Sequence, residues 1–399
     1  MKSFKPIILF IIVSFILNIG LSIYNPIYPY YVLDLKIDMT TYGLIGTISN
    51  IVNILMRIPY STLLLTIGYF KSYMIGYIMM GFSGIFYAYA LFSYPLILFT
   101  IAQILSAGRF TIMGTARSSI ITRLVEYKRR AFFLGLISSL SLIASSIGPF
   151  IGSYLYEKLG LGYYEIFLLS ILLVTPGIFP LIYLTARYEI KEKVDGNGFK
   201  EQVRSIPIFL KNRDMLRIFL IFQIDAFSWS ISHGYYNIYI ADVLKGLPIE
   251  LAYINLIMNI TAVIGFIVTG YLSDRFRRRV IFIFLSEIAG IIFLLIFISA
   301  KNVAMMYPAW IFMSFVWFLW SPTTTAYITE KTEEIDPTKI PLVLGIWGFL
   351  SGIARTPASL IGGILYDINP IYPFITTLIL IIFVSIIMLT LKEPGKINN

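Results

Sequence analysis

The sequence has no cysteine and a single histidine, His233, in 399 residues. The first absence excludes disulfide scaffolds, thiolate metal sites and cysteine nucleophiles. The second excludes a polyhistidine site, so no metal centre is expected. Charge is scarce too. Asp, Glu, Lys and Arg make up 13% of the chain, about half the usual share of roughly 25%. A water-exposed surface cannot be made from so few charges, which excludes soluble enzymes, disordered proteins and nucleic-acid binders. No Walker A sequence is present, so nothing points to ATP drive and no cofactor is expected.

What is present is apolar: 58% of the chain. A spanning helix needs about 20 mostly apolar residues. Windows of that size fall at 6–33, 42–66, 73–93, 95–122, 131–156, 163–186, 215–243, 249–272, 279–300, 303–329, 340–366 and 370–391. The runs are continuous, whereas barrel strands would alternate with period two. The fold class expected is all-α integral membrane, with twelve transmembrane helices in two pseudo-symmetric six-helix bundles. The bundles are expected at 1–186 and 215–399, joined by a linker at 187–214. The first run is too long for a signal-peptide core and has no small-residue cleavage site, so it is expected to remain as a span.

Lysine and arginine set the orientation. With the N-terminus inside, inside segments hold 23 of them and outside segments hold Lys36, Lys158, Lys245 and Lys301. Both termini are therefore expected on the cytoplasmic side of the cell membrane. The net charge of +10 reads as an insertion signal with contacts to anionic lipid rather than a nucleic-acid footprint. The expected partners are the lipid bilayer and a small-molecule substrate, with no nucleic acid, and the chain is expected to be monomeric.

The chain repeats itself. Span 5 contains Gly135, Ala144, Gly148, Pro149, Gly152 and Ser153; span 11 contains Gly345, Ala354, Ala358, Ser359, Gly362 and Gly363. Each landmark is displaced by 210 residues. Small residues at such spacing let helices approach closely, and a matched offset points to a duplicated fold. After span 8 the chain reads Gly270-Tyr271-Leu272-Ser273-Asp274-Arg275-Phe276-Arg277-Arg278-Arg279. This resembles the loop signature G-x-L-s-D-R-x-G-R-R of the major facilitator superfamily. The span 5 pattern resembles that superfamily's motif C, associated with drug/proton antiporters, with Ala144 and Ser153 where glycine is usual. Arg109 and Gly114 on span 4 resemble its motif B, with a gap one residue longer. The equivalent loop after span 2 has Leu65 in place of the aspartate and keeps little beyond Gly68.

The resemblance implies a loop aspartate facing the start of a helix in the other half. A helix start carries unpaired N–H groups and partial positive charge, which favour a carboxylate. Asp274 is therefore expected near Arg129, Arg130 and Ala131, with Arg275, Arg277, Arg278 and Arg279 holding the loop against carboxylates and lipid phosphates. With Leu65 in the other loop, this conformational latch is expected to be one-sided.

Ionisable groups inside a membrane are functional candidates by default. Arg109 and Arg355 lie near mid-span, and the mid-span acids are Asp225 on span 7 and Glu287 on span 9. The resemblance implies that spans 1, 4, 7 and 10 line a central cavity. Asp225, Trp229 and His233 share one helix face at i, i+4 and i+8. Asp225, with Arg109 as partner, is expected to be a proton carrier, the alternative being a static pair that locks the helices together, and Glu287 is expected to be a structural acid on a support helix. Trp317 and Trp320 are expected to form an apolar wall. Asn25 and Gln103 add sparse polarity, suited to an amphipathic or aromatic molecule.

The leading expectation is a non-enzymatic secondary transporter: proton-coupled efflux of such a compound by alternating access. An importer or exchanger of an organic anion, using Arg109 and Arg355, is the alternative. A lipid-linked transferase would need clustered acids; Glu330, Glu333, Glu334 and Asp336 are such a cluster, read here as a solvated loop. The topology is testable on this cysteine-free chain. A cysteine at position 197 should react with an impermeant maleimide only after permeabilisation, and one at 36 or 245 in intact cells. Labelling of position 197 from outside would overturn the orientation.

Overall fold

In a computed structural model, residues 5–125, 130–190, 212–276 and 278–395 are described. They form helices with no strand among them. In chain order these are α1 (Lys5–Ile23), α2 (Tyr28–Asp34), α3 (Met39–Ile67), α4 (Tyr69–Ala90), α5 (Pro95–Leu124), α6 (Arg130–Glu157), α7 (Tyr163–Val174) and α8 (Ile178–Tyr188). There follow α9 (Arg213–His233), α10 (Tyr236–Asp242), α11 (Pro248–Phe276), α12 (Arg279–Ser299), α13 (Met306–Glu333), α14 (Ile340–Ile368) and α15 (Tyr372–Met388). Among the described residues, nine helical segments are long and apolar enough to cross a membrane. Reading α1–α2, α7–α8 and α9–α10 as broken spans is consistent with twelve crossings.

The breaks have local causes. Between α1 and α2 the chain runs through Asn25 and Pro26, and Pro29 sits in the first turn of α2, where its missing N–H loses nothing. Thr175-Pro176-Gly177 makes a 3₁₀ turn between α7 and α8. At the start of α9 the Asn212 side chain accepts hydrogen bonds from Asp214 N (3.0 Å) and Met215 N (3.1 Å), an ordinary N-cap. The expected linker at 187–214 lies largely outside the described residues.

The 210-residue displacement extends well beyond the stretches that first show it. Helix α4 starts at 69 and α12 at 279, α6 at 130 and α14 at 340, each pair 210 apart; α3 and α7 start at 39 and 163, α11 and α15 at 248 and 372, each pair 209 apart. The pairings repeat as well: α1 packs on α6 and α7 as α9 packs on α14 and α15, and α4 packs on α5 as α12 packs on α13.

Two compact units result. Unit 1 comprises residues 1–37, 48–194 and 247–255; unit 2 comprises 38–47, 195–246 and 256–399. Each unit thus includes a short segment from the opposite sequence half. Lipid tails give apolar side chains no hydrophobic incentive to associate, so packing geometry and hydrogen bonds must hold the helices together. In unit 1, Tyr31, Tyr87, Phe99 and Phe167 form an aromatic cluster, and the Tyr31 hydroxyl donates to the Tyr87 carbonyl at 2.8 Å. In unit 2, Tyr236, Phe293, Phe297, Trp310 and Phe374 do the same. Edge-on and offset ring geometries of this kind add about 1 kcal/mol per pair beyond contact area.

Small residues set the closest approaches. A Cβ at Gly148 would strike the Ser22 hydroxyl, one at Gly152 the Ile23 carbonyl oxygen, and one at Gly362 the Ile231 carbonyl oxygen. Gly135 and Gly345 face open space. Pro149 lies inside α6.

Carboxylates from distant helices cap four helix starts. Glu189, just past α8, accepts from Phe70 N (3.0 Å) and Lys71 N (2.9 Å) at the start of α4. Glu393, just past α15, accepts from Val280 N at the start of α12 (3.1 Å to each oxygen). Phe70 and Val280 are themselves 210 residues apart. Asp367, near the end of α14, accepts from Met39 N (3.0 Å) and Thr40 N (2.7 Å) on α3. Glu157, the last residue of α6, accepts from Ile249 N on α11 (2.8 Å).

The glycine contacts predict a split result in thermal denaturation of the detergent-solubilised protein. Gly152→Ala should destabilise by about 1–3 kcal/mol, because the added methyl overpacks a backbone contact. Gly135→Ala should be neutral or slightly stabilising, since alanine is the better helix former and nothing opposes it.

Candidate functional site

Unit 2 gathers most of the ionisable groups named from the sequence. Asp225, Trp229 and His233 lie on α9, Glu287 on α12 and Arg355 on α14. Asp225 is 4% exposed and Glu287 is fully buried. Trp229 and Glu287 are close neighbours of Asp225, and Trp229 and Ser286 are close neighbours of Glu287. The Ser286 hydroxyl donates to Glu287 Oε1 at 3.3 Å. One oxygen of each acid, Asp225 Oδ1 and Glu287 Oε2, has no partner. The Trp229 ring lies over Gly290, where a Cβ would collide with it. Glycine one turn after Glu287 is what lets the indole pack against α12.

The cation whose charge reaches both Asp225 and His233 is Arg355. Arg109, the partner expected from sequence, belongs to unit 1, where its charge acts on Tyr24 and Tyr73. Its Nε is buried without a hydrogen-bond partner. Gln103 donates to the Tyr28 hydroxyl, so it braces α5 on α2, and Asn25 is exposed. Trp320 packs edge-on to Phe222 at 5.3 Å, within the core, while Trp317 is 47% exposed. The two tryptophans therefore face different surroundings.

A cavity of about 610 Å³ opens along α13, lined by Ser321, Thr325, Thr329, Glu330 and Glu333 together with Phe266, Pro322 and Ala326. The three hydroxyls recur every four residues and so share one helix face. The spacing was readable in the sequence; that this face borders space was not.

The loop signature is built around Arg279, 7% exposed. Its Nη2 meets Glu330 Oε1 at 2.7 Å and Asp274 Oδ1 at 2.8 Å, and its Nη1 donates to Ser273 Oγ at 2.7 Å. Glu330 is thus an ion-pair partner, and Glu334 engages Lys331 at 3.0 Å; two acids of the supposed solvated loop are held in specific contacts. Arg275 reaches the Tyr271 hydroxyl at 3.4 Å, Arg278 is exposed and Gly270 faces open space. Arg277, and Arg129 at the expected docking point of Asp274, lie outside the described residues.

The repeated helix scheme and this loop agree with the sequence comparison: the Major Facilitator Superfamily profile matches residues 10–339. The chain belongs to that superfamily. No curated protein matches it significantly. Solved structures with the same fold include a bacterial homologue of the ferroportin iron transporter in an inward-facing state (TM-score 0.72, 15% identity, 98% of this chain and 99% of that one). The nucleoside transporter NupG (0.71, 13%, 96% and 98%) and a bacterial homologue of the lysosomal transporter Spinster, inward-facing and unoccupied (0.67, 14%, 97% and 97%), also match. Family and neighbours point to a transporter rather than an enzyme.

Glu287, expected as a structural acid, is fully buried near Asp225. Displaced by 210 residues it corresponds to Tyr77, whose hydroxyl donates to the Val13 carbonyl at 3.0 Å. The repeat fills that place with a neutral group, so internal symmetry gives no hint of the acid. Glu157 and Asp367 were missed, although Tyr156-Glu157 and Tyr366-Asp367 stand 210 residues apart.

The Arg279 cluster predicts a stability effect. Arg279→Ala leaves Glu330 and Asp274 without their cation and should cost on the order of 2–3 kcal/mol, between the values for exposed and fully buried pairs. Glu330→Gln should cost less, because the amide oxygen still accepts. Thermal shift in detergent ranks the two.

Proposed function

We propose that this superfamily member is a proton-coupled exporter of a small amphipathic or aromatic compound, working by alternating access as a monomer in the cell membrane with both termini cytoplasmic. The observation behind this reading is the acid pair of unit 2. Two buried carboxyls lie beside one indole, and each keeps an unpartnered oxygen. A buried acid lacking a full set of hydrogen bonds is a costly arrangement with no structural return. A proton that comes and goes gives it a purpose. Asp225 is the carrier, Glu287 its buried neighbour, and Arg355 the cation that can hold Asp225 when the proton has left. The sparse polarity of the spans favours a flat or amphipathic substrate over a sugar. The iron, nucleoside and lysosomal cargoes in the neighbours' names belong to those proteins.

A second reading, organic-anion exchange, is favoured by one feature: the buried, unpartnered Nε of Arg109 is a donor that a carboxylate or sulfonate could take up.

Reconstituted vesicles test both. Uptake of lipophilic cations, neutral aromatics and organic anions should be measured with and without an imposed pH gradient. A member of the first two classes should accumulate with the gradient. Asp225→Asn should reduce this to the level of protein-free vesicles while leaving downhill exchange intact. Full gradient-driven accumulation by Asp225→Asn would overturn the carrier assignment, and loss of binding would make Asp225 a substrate counter-ion. Anion uptake abolished by Arg109→Gln, with no gradient dependence, would establish the second reading.

A further inference from the structure

The four carboxylate caps fall into two kinds. Glu189 and Glu393 cap helices of their own sequence half and are half-buried. Glu157 and Asp367 cap a helix start from the opposite sequence half and are exposed. The exposed pair is related by the internal repeat: Glu157 and Asp367 are 210 residues apart, and so are the residues they cap, Ile249 and Met39. The same contact is therefore made twice, at the ends of α6 and α14. Sequence reasoning placed a carboxylate-to-helix-start contact at Asp274; the exposed caps apply that chemistry at other helix ends.

The surroundings of Asp367 are suited to separation. Within unit 2, a Cβ on Gly43 would strike the Ser359 carbonyl oxygen and one on Gly363 the Met39 carbonyl oxygen. Thr47 donates to the Thr356 carbonyl at 2.8 Å. The seam is made of backbone, glycine and hydroxyl contacts, with one edge-on ring pair, Tyr42 and Tyr235, beside them. An exposed carboxylate leaving a helix start exchanges two N–H partners for water at little desolvation cost, which a fully buried acid cannot do.

We propose that Glu157 and Asp367 are a two-point, repeat-related fastening that is released when the protein changes conformation, whereas Glu189 and Glu393 are permanent caps. This rests on the alternating-access reading above only for its purpose; the release itself is measured without substrate.

Double electron–electron resonance on the full chain in lipid nanodiscs tests it. Spin labels at Leu44→Cys and Ile368→Cys, both exposed, report the Asp367 contact, and labels at Leu159→Cys and Tyr253→Cys, also exposed, report the Glu157 contact. Asp367→Asn should raise the ratio of long to short distances about five-fold at the first pair, as expected for losing a charge at a helix start. Glu157→Gln should do so at the second, the double variant should shift both, and Asp367→Glu should restore the first. Glu189→Gln should leave both unchanged. Unchanged distances in the double variant overturn the proposal, as does a lowered melting temperature without a distance change, which marks static caps. Should the double variant misfold, the unsubstituted protein decides: raising salt from about 0.05 to 1 M screens an exposed charge and must lengthen both distances, and a flat response overturns the idea. Failure to transport any tested compound would count against the function proposed above and leave these distances untouched.

Discussion

The constraint on which most of this structure depends is the unpaired backbone N–H at a helix start. Every helix leaves such donors, and a carboxylate that meets them also meets the positive end of the helix. A chain with only 21 acidic residues places four of them against the starts of other helices. Each cap satisfies donors, matches negative charge to the positive end of the helix and fixes where two helices meet. The charges are few, and their positions decide the architecture more than their number suggests.

Much of the fold was legible because its signals are long and redundant. Continuous apolar runs can only be spans, and a 210-residue displacement of Gly152 to Gly362 can only mean duplication when the neighbouring landmarks move with it. The site was legible in part. Asp225, Trp229 and His233 stand at helical spacing, so their common face followed from the sequence. Glu287 joins them through the packing of α12 on α9 and the absence of a side chain at Gly290, neither of which a linear pattern encodes. The pairing of Asp225 with Arg109 rested on chain order and family layout, whereas the charge that reaches Asp225 comes from Arg355, on a helix with which α9 packs directly. The acidic run 330–336 looked like a solvated loop because composition cannot distinguish an exposed glutamate from one that meets a buried arginine 51 residues away.

Symmetry and its breaking divide the labour. The frame is duplicated in helix starts, helix pairings and caps. The chemistry is not: the loop signature and the mid-span acids occur only in the second half, where the first has Leu65 and Tyr77. A duplicated frame gives equivalent mechanical roles to both halves, and the proposed proton site lies in only one of them. Superfamily membership accounts for the frame; the proposed function rests on what the second half added to it.

The exposed caps also impose an order on biogenesis. Asp367 lies 328 residues beyond Met39, so during synthesis the first turn of α3 is made long before its cap exists. Glu157 precedes Ile249, so α11 finds its cap already in place. The first half must wait in the membrane with a helix start that only the last third of the chain can complete, while the matching start of α11 meets its cap as it emerges. A ribosome that stalls after the first six spans therefore leaves a product with a specific, chemically defined defect at the start of α3, available to the quality-control machinery until α14 arrives.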